Sequence, residues 1–301
     1  MDFFIQQLTN GLTVGGIYAL IALGYTMVYG VMKLINFAHG ELFTLGAYIG
    51  FTLLVTFNFT GLFGTVIGLG FSVILVSCLV AVAGHLLERV AYRPLRHSDR
   101  LAAVVSALGA SIFLQNAIML KWGAQRLAYK PNILPNVSVN IFGQPMPFIR
   151  ILVFLVAVFV MFGLYIFINR TRTGMAIRAA AIDQGAAKLM GIDVSRVIAL
   201  VFIIGPALGG LAGLMAGLLY GPINFNMGQI YGLKAFTAAI IGGIGNIQGA
   251  MVGGLLLGLL ESMGAAYISV AWKDGITFMV LIVILVFRPT GLLPERVAEK
   301  L

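Results

Sequence analysis

The side chains that could do chemistry in this 301-residue sequence are few and scattered. His39, His85 and His97 are far apart, share no metal-ligand spacing and have no nucleophile motif beside them. The glycine-rich run Ile240-Ile241-Gly242-Gly243-Ile244-Gly245-Asn246 lacks the Lys-Ser/Thr of a phosphate loop. Its apolar surroundings suit close packing or a helix break, so the chain alone is not expected to hydrolyse ATP. What remains is a set of polar groups beside long apolar runs: Asn36, His39, Glu41, Asn224, Asn226 and Gln229. In hydrocarbon an unsatisfied polar or ionised group costs several kcal/mol, so each of these must face protein, water or a path. Two roles fit them. They cap broken helices, with Asn36 or Asn224 as the cap and Glu41 near a positive helix end, or they line a pathway. Glu261, at the end of an apolar run, is expected at the membrane interface.

Most of these groups fall in an internal repeat. Residues 35–47 read INFAHGELFTLGA and residues 223–235 read INFNMGQIYGLKA, identical at six of thirteen positions, with Tyr29-Gly30 and Tyr220-Gly221 shortly upstream. The residues expected at helix breaks or on a translocation path are Asn36, Phe37, Gly40 and Glu41 in the first copy. In the second they are Asn224, Phe225 and Gly228. Asn and Phe in the same frame are not what a Gly/Ala/Leu bias produces.

The elements that must position these residues are membrane helices. The sequence is 60% hydrophobic and 10% charged, whereas soluble domains carry about 25% charged residues. Spanning or partly spanning segments are expected near 11–31, 41–57, 64–86, 102–120, 149–168, 197–220, 231–244, 249–268 and 273–287. Those at 41–57, 231–244 and 273–287 are short for a full crossing and read as tilted, discontinuous or re-entrant. The expectation is an all-α polytopic membrane protein of eight or nine such helices, a single transmembrane domain over 1–301 with approximate halves 1–148 and 149–301. Thirty-eight glycines point to close helix–helix contact. Cys78, the single cysteine, excludes an internal disulfide and is expected as a small core residue. The first 32 residues hold no Lys or Arg, so a cleaved signal peptide is not expected.

The excess of 19 Lys+Arg over 10 Asp+Glu brackets apolar runs rather than forming one stripe, which argues for membrane topology and against nucleic acid. Lys33, the 87–101 connection, the 169–196 connection and the tail after 287 hold 13 of the 19 basic residues. Alternating crossings put all four places on one side, the cytoplasm by the positive-inside rule. The N-terminus is then outside and the C-terminus inside. The connection 121–148, with four prolines, reads as an ordered external loop. The first repeat copy follows an inward crossing and the second an outward one, which makes the halves inverted repeats, as in transporters with alternating access.

The cytoplasmic loop 169–196 carries a candidate amphipathic helix. Thr173 is the expected cap and Gly191 the expected stop. Met175, Ala179, Ile182, Ala186 and Leu189 fall on one stripe, with Arg178, Gln184 and Lys188 off it. A continuous helix here would be about 24 Å long. It could lie on the membrane surface or dock in a partner's groove.

The runs Gly15-Gly16-Ile17-Tyr18-Ala19-Leu20-Ile21-Ala22-Leu23-Gly24, Ile35 to Glu41, Arg178-Ala179 to Gly191-Ile192-Asp193, Gly242 to Asn246 and Arg288-Pro289-Thr290-Gly291-Leu292 follow one another in order. Together they resemble the LivH-type permeases of bacterial branched-chain amino acid ABC importers, over essentially the entire chain. The resemblance implies a multi-pass permease of the bacterial inner (cytoplasmic) membrane. It would work with a second homologous permease subunit, two cytoplasmic ABC ATPases and a periplasmic substrate-binding protein. ATP and Mg would be bound by partner subunits, with no cofactor in this chain. By the same resemblance the 174–193 loop is the coupling element for the ATPase, with Gly174, Met175, Arg178, Ala179, Ile182, Asp183, Ala186 and Gly191 as its residues. Urea and short-chain amide importers are similar in sequence. An ion-coupled secondary transporter would share inverted repeats, and would need a buried ionisable cluster for which only His39/Glu41 offers a candidate. A membrane-embedded enzyme would need a catalytic set that the sequence does not provide.

Overall fold

The computed structural model describes residues 2–57, 61–96, 98–129, 138–141 and 144–293. His97, two of the four prolines of the 121–148 connection (Pro131 and Pro135) and the tail's Arg296 and Lys300 lie outside the described residues. The chain runs α1 (Asp2–Met32), α2 (His39–Phe57), α3 (Gly61–Leu87), α4 (Arg100–Trp122), β1 (Leu127–Ala128), β2 (Ser138–Ile141), β3 (Gln144–Pro147) and α5 (Phe148–Arg170). It continues through α6 (Arg172–Ile182), α7 (Gln184–Leu189), α8 (Val194–Tyr220), β4 (Pro222–Ile223), α9 (Met227–Gly242), α10 (Ile247–Tyr267) and α11 (Lys273–Phe287). A π-helical turn, Glu88–Tyr92, and a 3-10 turn, Arg93–Leu95, prolong α3.

Among the described residues, eight helices are long and apolar enough to cross a membrane. They are α1 to α5, α8, α10 (Ile247–Tyr267) and α11, which reaches crossing length together with the preceding turn from Val270; α9, with 16 residues, is the ninth segment. Helices prevail because a helix satisfies its backbone groups within one segment, where hydrocarbon offers no partner. The strands are minor. β2 and β3 form a hairpin, and β1 pairs antiparallel with β4 beyond the C-terminal end of α8.

The helices pack as two interlocked repeats. The series α1-α2-α3 is answered by α8-α9-α10, and each first helix packs along the other repeat's third: α1 along α10, α8 along α3. Each first helix also packs on the other repeat's second, α1 on α9 and α8 on α2. α1 and α8 cross antiparallel at the centre, with Thr13 and Val14 beside Leu219 and Tyr220 near one end and Gly24 against Gly205 further along. The inverted relation expected from the INF copies is therefore present in the packing. Small residues allow it. A Cβ on Gly258 of α10 would lie 2.2 Å from the backbone nitrogen of Gly15 on α1.

The outward faces are apolar, with Ile74 and Val82 on α3, Phe113 and Leu120 on α4, Phe159 and Phe162 on α5, and Ile282 and Val286 on α11 all exposed. Cys78 belongs to this outer surface of α3 and not to the core, because an apolar run facing lipid carries no pattern that separates its two sides.

Candidate functional site

Both INF copies break a helix and turn the chain back into the bundle. α1 ends at Met32, Lys33 takes φ 53°, and residues 33–38 return to start α2. His39 then lies against Gly24, eight residues inside the end of α1, and against Gly209 near the middle of α8. At 1.5 Å per residue that is about 12 Å into the bundle. In the second copy α8 ends at Tyr220, and residues 221–226 lead to α9.

α2 and α9 thus start deep in the bundle, and their first turns cross. A Cβ on Gly40 would lie 2.3 Å from the carbonyl oxygen of Gly228, and a Cβ on Gly228 would lie 2.3 Å from the carbonyl oxygen of Gly40. The reciprocity of this contact places the two copies about a shared pseudo-two-fold. Continuing outward from this crossing, α2 (19 residues) and α9 (16 residues) measure about 28 and 24 Å. They leave the crossing in opposite directions; two of the three segments read as short from sequence, 41–57 and 231–244, are these helices that start inside the bundle, and the third, 273–287, is α11.

The polar residues of the repeat divide by role. Asn36 is buried, and its Oδ1 accepts from the amide of Ala38 at 3.1 Å and from the Tyr92 hydroxyl at 2.9 Å. It caps the turn that leads into α2 and ties that turn to the end of α3. Asn224 contributes its backbone carbonyl to the amide of Met227 at 3.3 Å, and its Oδ1 has no partner. Phe225 packs half-buried against the core. Glu41 sits in the first turn of α2, 1% exposed, with Oε2 unpartnered.

Beside the glycine crossing, a cleft of about 230 Å³ opens between α2, α4 and α9. Tyr25, Ile35, Phe37, Leu108, Leu233 and Phe236 give it apolar walls, and Glu41, Ser111 and Gln229 are its polar groups. It brings together Phe37, Glu41 and Gly228, while Asn36, Asn224 and Phe225 stand outside it. The face around it carries polar groups: Gln229 donates to Gln115 of α4 at 3.4 Å, and Asn226 is exposed nearby.

A second polar assembly escapes the sequence reading. Lys234 of α9, 3% exposed, reaches Glu261 of α10 at 2.9 Å and Asp274 of α11 at 2.6 Å, and the Tyr18 hydroxyl donates to Glu261 at 2.7 Å. Glu261 is thus buried and paired, not interfacial, and His39/Glu41 is not the sole buried ionisable cluster. The signal was the presence of opposite charges in two separate apolar segments, which in a membrane find each other.

At the opposite end of the bundle from β1 and β4 lie the ends of α1, α3 and α5, the start of α8, and the α6–α7 loop. The expected single helix from Gly174 to Gly191 is two. Thr171, not Thr173, caps α6 through the amide of Gly174 at 3.0 Å. Asp183 stops α6 in an extended conformation and caps α7, its Oδ1 accepting from Gly185 at 2.7 Å and Ala186 at 3.1 Å. Gly191, at φ 81°, closes α7 as expected. Gly174 lets α6 fold back on α5, since a Cβ there would lie 2.3 Å from the carbonyl oxygen of Ile168. Arg178 donates to that same carbonyl and to Asn169, so it staples α6 to the last turn of α5 instead of reaching outward. Gln184 donates to the carbonyl of Val31 at 2.6 Å, anchoring the loop to the end of α1. Ile177, Ala180 and Ala187 pack inward. Met175, Ile182, Ala186, Leu189 and Met190 are exposed, Leu189 at 90%, while Ala179 is half-buried.

Residues 7–285 match the family model described as the permease component of branched-chain amino acid transport systems. The high-affinity branched-chain amino acid transport system permease protein BraD of Pseudomonas aeruginosa is 47% identical, over 99% of this chain and 98% of its own. The corresponding LivH proteins of Salmonella typhimurium and Escherichia coli K12 are each 43% identical over the same shares. Among solved structures, a chain from an inward-facing conformation of an ABC transporter aligns over 93% of this chain and 87% of its own, at TM-score 0.49 and 16% identity. The full-length relatives carry the assignment, and with them this chain belongs to the family of permease components of branched-chain amino acid transport systems.

Proposed function

We propose that this chain is a transmembrane permease subunit of an ATP-driven importer for branched-chain amino acids, seated in the bacterial inner membrane. Its partners would be a second homologous permease, two cytoplasmic ATPases and a periplasmic binding protein. ATP and Mg would belong to the ATPases. The chain would have its N-terminus outside and its C-terminus in the cytoplasm, because Lys33, Arg89, Arg93, Arg96, Arg170, Arg172 and Arg196 gather at one end of the bundle. The names of its relatives favour this reading over an ion-coupled secondary transporter.

The observation that carries the coupling role is the exposed apolar face of α6–α7. Met175, Ile182, Leu189 and Met190 stand out at the basic end, on a loop pinned from behind by Arg178 and Gln184. An apolar face on a rigidly held loop is suited to a partner's groove. Ala186→Glu and Leu189→Glu place charge on that face without disturbing the buried Ile177, Ala180 and Ala187. Both variants are expected to insert normally and to lose ATPase association or substrate-stimulated hydrolysis. Wild-type ATPase binding and transport in both would remove the coupling assignment.

A further inference from the structure

The cleft beside the Gly40–Gly228 crossing has a composition that selects for one kind of molecule. Its volume, about 230 Å³, is below the ~300–1,000 Å³ typical of sites for drug-sized ligands. Phe37, Leu108, Leu233 and Phe236 supply an apolar wall on two sides. Glu41 lines the same cleft while itself 1% exposed, and its Oε2 has no hydrogen-bond partner.

That oxygen is the telling atom. Ser111 is a hydrogen-bond partner of the Glu41 carboxyl group, but no cation is, and a buried acidic group without one is costly in a membrane protein and marks paths and ligand sites. Among the described residues the other two buried glutamates are paired with a cation, Glu88 with Arg96 and Glu261 with Lys234. Among the described residues no Lys or Arg lines the cleft to pair with Glu41. The neighbouring groups complete the pattern. The first turn of α9, with Gly228 and Gln229 in the wall, brings the positive end of a 16-residue helix to the same cleft as Glu41.

We infer that this cleft is a transient binding site for a zwitterionic α-amino acid with an apolar side chain. Glu41 takes the ammonium group, the first turn of α9 with the Gln229 amide faces the carboxylate, and Phe37, Leu233 and Phe236 receive the side chain. The inference rests on the permease reading and adds to it a direct contact between the carried molecule and this chain. Gly228 and Gly232 line the cleft and hold α9 close to α2 beside it, where a Cβ would meet Gly40. The site lies at the crossing of the two re-entrant helices, so relative movement of the repeats would alter it first.

The test uses the complete transporter, purified with both permeases and both ATPases, and tritiated L-leucine as the probe. Without binding protein, the wild-type complex should bind leucine saturably, and 4-methylpentanoate, which lacks the ammonium group, should compete at least tenfold less well. Glu41→Gln should weaken leucine binding at least tenfold. Leu233→Trp, a change at a half-exposed wall position that leaves Glu41 in place, should also block the site by filling it. In ATP-driven uptake with saturating binding protein, both variants should slow leucine transport. Leucine binding and uptake at wild-type levels in both variants would overturn the site while leaving the permease reading intact. Equal competition by 4-methylpentanoate would also overturn it. Absence of ATP-driven leucine uptake by the wild-type complex would instead remove the reading on which the site rests.

Discussion

Gly40 and Gly228 have no room for a methyl group, because each would drive a Cβ into the other's carbonyl oxygen. Overpacking of this kind costs about 1–3 kcal/mol. Gly40→Ala or Gly228→Ala should therefore lower the thermal stability of the purified protein and separate the two re-entrant helices, with transport lost. Gly109→Ala, where nothing lies within 4 Å of the added Cβ, should leave both unchanged. The Lys234–Glu261 pair makes a second prediction. Removing one partner of a buried pair costs about 3–5 kcal/mol, whereas replacing both by apolar groups is often neutral. Lys234→Met should destabilise strongly, and Lys234→Met with Glu261→Met should recover most of the loss in a thermal unfolding assay. At this scale the sequence was legible where a polar residue stands alone in an apolar run, as Asn36 and Glu41 do. It misplaced Glu261 because the partner that buries it is 27 residues away on another helix. The anchor of Arg178 was not legible, because the acceptor carbonyl belongs to the preceding helix.

Among the elements, the coupling loop shows how far periodicity reaches. The apolar spacing of Met175, Ile182 and Leu189 runs straight through Asp183, so one helix was expected where there are α6, of 11 residues, and α7, of six. Asp competes for backbone amides and serves better as a cap than inside a helix, and here its side chain holds two amides of α7. Asp183→Ala should weaken α7 by about 0.5–2 kcal/mol, read as faster hydrogen exchange at the Gly185 and Ala186 amides with α8 unaffected. Exchange at wild-type rates would show that α7 is held by Gln184 and Ala187 alone. The pair α2 and α9 was more accessible: 41–57 and 231–244 already read as short or discontinuous, and the shared INF frame linked them. The depth at which they meet was not accessible, because it depends on how far residues 33–38 and 221–226 climb back, which no periodicity encodes.

For the whole molecule, the pseudo-two-fold explains why this chain needs both halves. α1 and α8 are the central helices, each packed on elements of the other repeat, so neither repeat keeps its core without the other. Orientation follows from charge, and single-cysteine labelling on a Cys78→Ser background tests it. Asn140→Cys should react with an impermeant thiol reagent from outside and Gly185→Cys only from the cytoplasmic side; the reverse pattern would invert the topology. Which molecule crosses was carried by the likeness to known permeases and not by any residue pattern, since a cleft becomes visible only when α2, α4 and α9 are assembled. The most direct measurement of the central claim is leucine uptake into proteoliposomes holding this chain with its partner permease, both ATPases and the binding protein. The account predicts leucine accumulation that requires ATP hydrolysis, with no accumulation when only a proton or sodium gradient is supplied. Uptake driven by either gradient, with this chain reconstituted in the absence of any ATPase, would contradict it.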